Sequence, residues 1–291
     1  MTAIPGPRRR SLRTRDGLRL SALEWEGPED RTPLLCLSGV ARNALDHMAI
    51  GNRLAGRRRV VALDYIGHGE SERAPEIARY SVEWALRDVL DAMAALHLHR
   101  VALLGTSLGG ILAMVLGVLR PGCLAAVALN DIGPRVDPGA LATVMTVIGT
   151  DPGFATEEEA TEFLRANLPP LGFTDETWPG MVAHTYARGE DGRLHPRWDT
   201  RLAQVIRPDG GGDGGGGAVM DLWPAFRALG HLPLLLAWGE ESTLLTRPTV
   251  EAMQAERPDM ELLLLPGIGH APPLDRPEIL AALDGFLARI G

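Results

Sequence analysis

The chain predicts an α/β fold: a mostly parallel, eight-stranded sheet with helices on both faces and a helical cap inserted after the sixth strand. Three observations predict it. From Pro33 onward, short apolar runs at 34–38, 59–64, 101–106, 124–129, 234–238 and 260–265 alternate with helical patterns, as parallel strands linked by crossover helices do. One run, Arg100-Val101-Ala102-Leu103-Leu104, leads into Gly105-Thr106-Ser107-Leu108-Gly109 and a second apolar stretch from Gly110 to Leu116. That is a strand, a sharp turn and a helix, with a serine at the apex. Finally, the alternation stops between residues 133 and 221.

In chain order, residues 1–10 read as a disordered tail. Residues 11–27 alternate in polarity around Asp16-Gly17, a hairpin signal that supplies the first two strands. The core comprises residues 11–132 and 222–291. In residues 81–98, Leu86, Val89, Leu90, Met93 and Leu96 recur at helical spacing. Residues 277–290 carry Ile279, Leu280, Leu283, Phe286, Leu287 and Ile290 on one stripe, with Pro277 suited to a first turn. The cap, 133–221, has a capping-box pattern at Thr156 and Glu159 and an apolar stripe starting at Trp178, Met181 and Val182. Its stretch 208–217, nearly all glycine and aspartate, reads as a surface linker; without Gly-Lys-Ser/Thr it is no phosphate loop.

Composition narrows the function. The net charge of −8 leaves no basic footprint for nucleic acid. All 29 basic residues are arginine, which removes P-loop, Schiff-base and Ser-Lys chemistry. Cys36 and Cys123 read as reduced thiols in apolar runs, and no cluster has metal-ligand spacing. The first ten residues lack the apolar stretch of a signal peptide, and glycines interrupt the apolar run 101–119, so the expectation is a cytoplasmic protein without a membrane span.

A serine before a helix is commonly only a cap. Here a histidine follows the last strand, in Gly267-Ile268-Gly269-His270. Serine early and histidine late, both beyond strand C-terminal ends, suit a nucleophile and its base. The Leu108 N–H, in the first helical turn, would face a developing oxyanion.

With Leu37-Ser38-Gly39-Val40, Asp64-Tyr65-Ile66-Gly67-His68-Gly69-Glu70-Ser71, the serine turn and Gly267-Ile268-Gly269-His270, residues 11–291 resemble the α/β-hydrolase fold superfamily. Leu129-Asn130-Asp131-Ile132-Gly133-Pro134 is similar to a bacterial subgroup of esterase, lactonase and enol-lactonase-like hydrolases. The resemblance implies a second oxyanion donor at the Val40 N–H, with Ser38 standing where a histidine is usual, and a structural role for His68. It also implies an acid in the loop Gly239-Glu240-Glu241-Ser242-Thr243, where Thr243 occupies the place of the expected aspartate. Threonine cannot offset an imidazolium charge. Three explanations stand: Asp131, after the sixth strand, supplies the acid; Glu240 or Glu241 reaches in; or the set is incomplete.

The expectation is a serine hydrolase with Ser107 as nucleophile, His270 as base and Asp131 as acid, needing no cofactor or metal. Its partner is a small-molecule ester or lactone with a hydrophobic or aromatic acyl group. Arg42 is a candidate contact for a substrate carboxylate, and Trp178 and Tyr186 are candidate pocket walls. The alternatives are carbon–carbon bond hydrolysis of a diketone-like substrate by the same residues, and a ligand-binding homologue without activity.

Overall fold

The computed structural model describes residues 6–136, 145, 147–205 and 221–291. Eight strands form one sheet in the order β1-β2-β4-β3-β5-β6-β9-β10. Strands β1 (Arg8–Arg13), β2 (Arg19–Trp25) and β4 (Val60–Asp64) are joined antiparallel, whereas β3 (Leu34–Leu37), β5 (Val101–Thr106), β6 (Leu124–Asn130), β9 (Leu234–Gly239) and β10 (Glu261–Leu265) run parallel with β4. The expected disordered tail is corrected at its end: Arg8, Arg9 and Arg10 pair with Glu24, Leu23 and Ala22, because the hairpin register carries β1 past Ser11. Residues 1–5 lie outside the described residues.

The inner parallel strands β3, β4, β5, β6 and β9 are buried on both faces, so their side chains alternate between two cores. Leu35, Leu37, Val101 and Leu103 enter one core, with Leu86 and Val89 of α2 (Val82–Ala95) and Leu112 of α3 (Leu108–Leu119). Leu34, Cys36, Ala102 and Leu104 enter the other, with Ile50 of α1 (Met48–Leu54) and Leu283 and Phe286 of the C-terminal helix (Pro277–Ala288). Ser81 caps α2 by accepting from the Trp84 N–H at 3.4 Å. Both cysteines are free, and no helix of the described residues is long and apolar enough to cross a membrane.

The chain leaves the core after β6 and returns where the Leu222 N–H donates to Pro134 O at 2.8 Å. Between these points lie α4 (Glu157–Asn167) and α5 (Trp178–Thr185). Thr156 Oγ1 accepts from the Glu159 N–H, and Glu159 returns the contact to the Ala155 N–H. The cap is not helical alone. A hairpin of β7 (Tyr186–Arg188) and β8 (Leu194–Pro196) packs Tyr186 between Phe154 and Trp198. Its far end is tied to the core: the Gly69 N–H donates to Arg197 O and the Asp199 N–H to Gly67 O. The glycine stretch 208–217 lies outside the described residues. Beyond it, α6 (Trp223–Ala228), α7 (Arg247–Glu256) and the C-terminal helix, α8, complete the core.

Candidate active site

Ser107 sits between β5 and α3 with φ 50° and ψ −114°, a strained backbone for a residue with a side chain. The turn needs glycine on both sides. A Cβ on Gly105 would lie 2.5 Å from the Gly109 backbone, and one on Gly109 would lie 2.1 Å from Leu37 O. The elbow is thus pressed against β3 and the loop that follows it.

That loop passes beside the serine: a Cβ on Gly39 would stand 3.4 Å from Ser107 Cβ. It is docked through Ser38 O, which accepts from the Gly109 N–H and the Tyr65 hydroxyl, each at 3.1 Å. Among the described residues, neither the Val40 nor the Leu108 amide donates to a protein acceptor. Four residues other than glycine have a positive φ among the described residues; Ala41, Ser107 and Asp131 are three of them. Strain therefore gathers at the loop, the elbow and the candidate acid.

His270 follows β10, and its Nδ1 lies 2.8 Å from Asp131 Oδ2. Asp131 is fully buried and receives two further donors: the Gly239 N–H on Oδ1 at 2.9 Å and the Ser242 hydroxyl on Oδ2 at 2.6 Å. A buried carboxylate needs such partners to remain an acceptor. Because a carboxylate accepts, Nδ1 carries the imidazole proton and Nε2 is left as the basic nitrogen. Asn130 ties the two halves together. Its Nδ2 donates to Thr106 Oγ1, beside Ser107, and to Pro272 O in the histidine loop, at 3.2 and 3.0 Å.

The other candidate acids stand apart. Glu240 accepts from Arg247 at 2.8 Å, and Glu241 and Thr243 are exposed. The loop contributes Gly239 and Ser242, which hold the carboxylate that Asp131 brings from the neighbouring strand. Neither these two nor Asn130 were singled out in the sequence. Ser242 lay in the expected acid loop, which was the available signal.

Arg42, Trp178 and Tyr186 are engaged in packing. The Arg42 guanidinium pairs through Nε and Nη2 with Asp46 and donates from Nη1 to Thr185 Oγ1 at 2.6 Å, joining the loop to the cap. Trp178 packs at a tilt against Phe173 under the Arg165 guanidinium, and Tyr186 sits in the cap's aromatic cluster. His68 is buried and donates from Nδ1 to Ile66 O at 3.1 Å. Among the described residues, no group of three His, Cys, Asp or Glu side chains could hold a metal ion.

Known proteins share this arrangement of elements. A family model described as the alpha/beta hydrolase family matches residues 17–283. A 3-hydroxybutyrate-oligomer hydrolase of Cupriavidus necator is 31% identical over 274 residues, 92% of each chain. A 2-(acetamidomethylene)succinate hydrolase of Mesorhizobium japonicum is 25% identical over 256 residues, 87% of each chain. An alpha/beta hydrolase crystal structure from Novosphingobium aromaticivorans superposes with a TM-score of 0.91 at 34% identity, covering 99% of this chain and 100% of that one. A family match along most of the chain, joined to a relative alike over nine-tenths of both sequences, establishes that the chain belongs to the alpha/beta hydrolase family.

Proposed function

We propose that this hydrolase cleaves a carboxylic ester or lactone of a small molecule through an acyl-enzyme on Ser107. One observation carries the reading: a buried carboxylate, Asp131, stands 2.8 Å from Nδ1 of the histidine that follows the last strand. It answers the loss of the expected acid at Thr243, the feature that favoured an inactive binding protein.

In this mechanism His270 Nε2 takes the Ser107 proton as Oγ attacks the ester carbonyl. Asp131 holds the imidazole in the correct tautomer and stabilises its charged form. The Val40 and Leu108 N–H groups receive the oxyanion, helped by the partial positive charge at the start of α3. His270 then protonates the departing alkoxide, and a water, deprotonated by the same nitrogen, releases the acid. The Cupriavidus necator relative is named for hydrolysing 3-hydroxybutyrate oligomers. Short esters of hydroxyacids are accordingly the first substrates to assay.

The test is stopped-flow release of p-nitrophenol from p-nitrophenyl acetate. The wild type should show a burst equal to the enzyme concentration, and Ser107→Ala should show none. Undiminished turnover in Ser107→Ala rejects the acyl-enzyme.

A further inference from the structure

We propose that the buried Ser38–His47 pair is a positioning device that holds the loop carrying the Val40 N–H against the nucleophile; the proposal rests on the reading of Ser107 above. Ser38 opens the loop after β3, and its hydroxyl reaches across to donate to Asn43 O at 2.9 Å. The loop is thereby closed on itself, with Gly39, Val40, Ala41 and Arg42 inside the closure. The Arg42 N–H also donates to Gly39 O at 3.2 Å, and Ala41 takes φ 58° within this turn.

A hydroxyl has one proton, and Ser38 gives it to a carbonyl that can only accept. His47 Nε2, 3.1 Å from Ser38 Oγ, must therefore be the donor of their contact. That fixes His47 as the neutral tautomer protonated on Nε2, and burial pushes its pKa down to about 4, in keeping with a neutral ring. The other nitrogen, Nδ1, is then a bare acceptor. It is buried and has no hydrogen-bond partner among the described residues.

A fully buried imidazole with one unsatisfied nitrogen is a poor choice for stability alone. An apolar side chain would fill the space without that penalty. What the imidazole supplies is direction: its N–H fixes the Ser38 lone pairs and so the rotor that bridges to Asn43. Ser38 O, docked on the Gly109 N–H, anchors the same closure to the nucleophile elbow. From the opposite side, Asn43 Nδ2 donates to His184 O in the cap and the Ala44 N–H donates to Asp64 Oδ1, each at 2.7 Å. The pair is the part of this frame that meets the loop at its first residue.

The experiment compares Ser38→Ala, Ser38→Thr, His47→Leu and His47→Gln with wild type. It measures kcat and KM on p-nitrophenyl acetate, the urea midpoint, and hydrogen exchange at the Val40 amide. Ser38→Ala and His47→Leu should each lower kcat about tenfold to a hundredfold at nearly constant KM. Val40 exchange should rise in both, and the His47→Leu midpoint should hold or increase. Ser38→Thr, which keeps a hydroxyl, and His47→Gln, which keeps an N–H near the Nε2 position, should recover most of kcat. Unchanged Val40 exchange in Ser38→Ala overturns the proposal. So does a fall of kcat and urea midpoint together in His47→Leu with no recovery in His47→Gln. Full turnover in Ser107→Ala would overturn the acyl-enzyme reading instead, and Val40 exchange still decides this one.

Discussion

At the scale of single residues, the proposed acid, Asp131, is the instructive case. Its carboxylate is held by three donors, from His270, Ser242 and the Gly239 amide, so its position is over-determined. Asp131→Asn should lower kcat by about 10⁴, as neutralising the acid of a serine triad does. Glu240→Gln and Glu241→Gln should leave steady-state rates within about twofold, as expected of substitutions clear of the catalytic contacts. Ser242→Ala should fall between, because Asp131 loses one of its donors and keeps two. Steady-state assays of these four variants check the order. The sequence showed that Asp131, Glu240 and Glu241 all follow strands at one edge of the sheet. It did not show which carboxylate faces Nδ1, since that depends on strand order: β6 lies directly beside β9, and Arg247 draws Glu240 elsewhere. His47 had no motif at all. Its place beside Ser38 arises from the turn into α1, which has no periodic signature.

At the scale of elements, the cap is joined to the core by a seam around Asp199. Its carboxylate accepts from the Tyr80 hydroxyl at 2.5 Å and from Arg201 Nη2 at 2.6 Å, while Arg201 also donates to Ala74 O at 2.7 Å. Asp199→Ala should reduce folding stability by about 2 kcal/mol, the scale of losing hydrogen bonds to a charged group. Trypsin should then cleave earlier at Arg193 and Arg197, and KM should rise more than kcat falls. Urea unfolding and timed digestion check both. The helices and strands of the core were legible because their apolar spacing repeats over many residues. The hairpin β7–β8 was not: each of its strands has three residues and one ends on Pro196, too little to set a period of two. Its order comes instead from Tyr186, Phe154 and Trp198 packing together.

For the whole molecule, two fully enclosed histidines contribute to the response to acid. Burial pushes both His47 and His68 down to about 4, from an ordinary value of 6.5. Between those values the unfolded chain binds protons that the folded chain refuses. The stability each ring contributes is therefore complete above pH 6.5 and is lost as pH falls towards 4, by up to about 1.4 kcal/mol per pH unit for each. Urea midpoints measured from pH 7 to pH 4.5 should show His47→Leu with a shallower slope than wild type, and the difference isolates that ring. The strand order has another consequence. With the carboxylate delivered from β6, the turn after β9 must keep only the Gly239 amide and the Ser242 hydroxyl for the site. Positions 240, 241 and 243 are thereby free to drift. A library randomised there should retain most of its active members, which makes this turn a natural place to graft a new recognition sequence at the rim of the site.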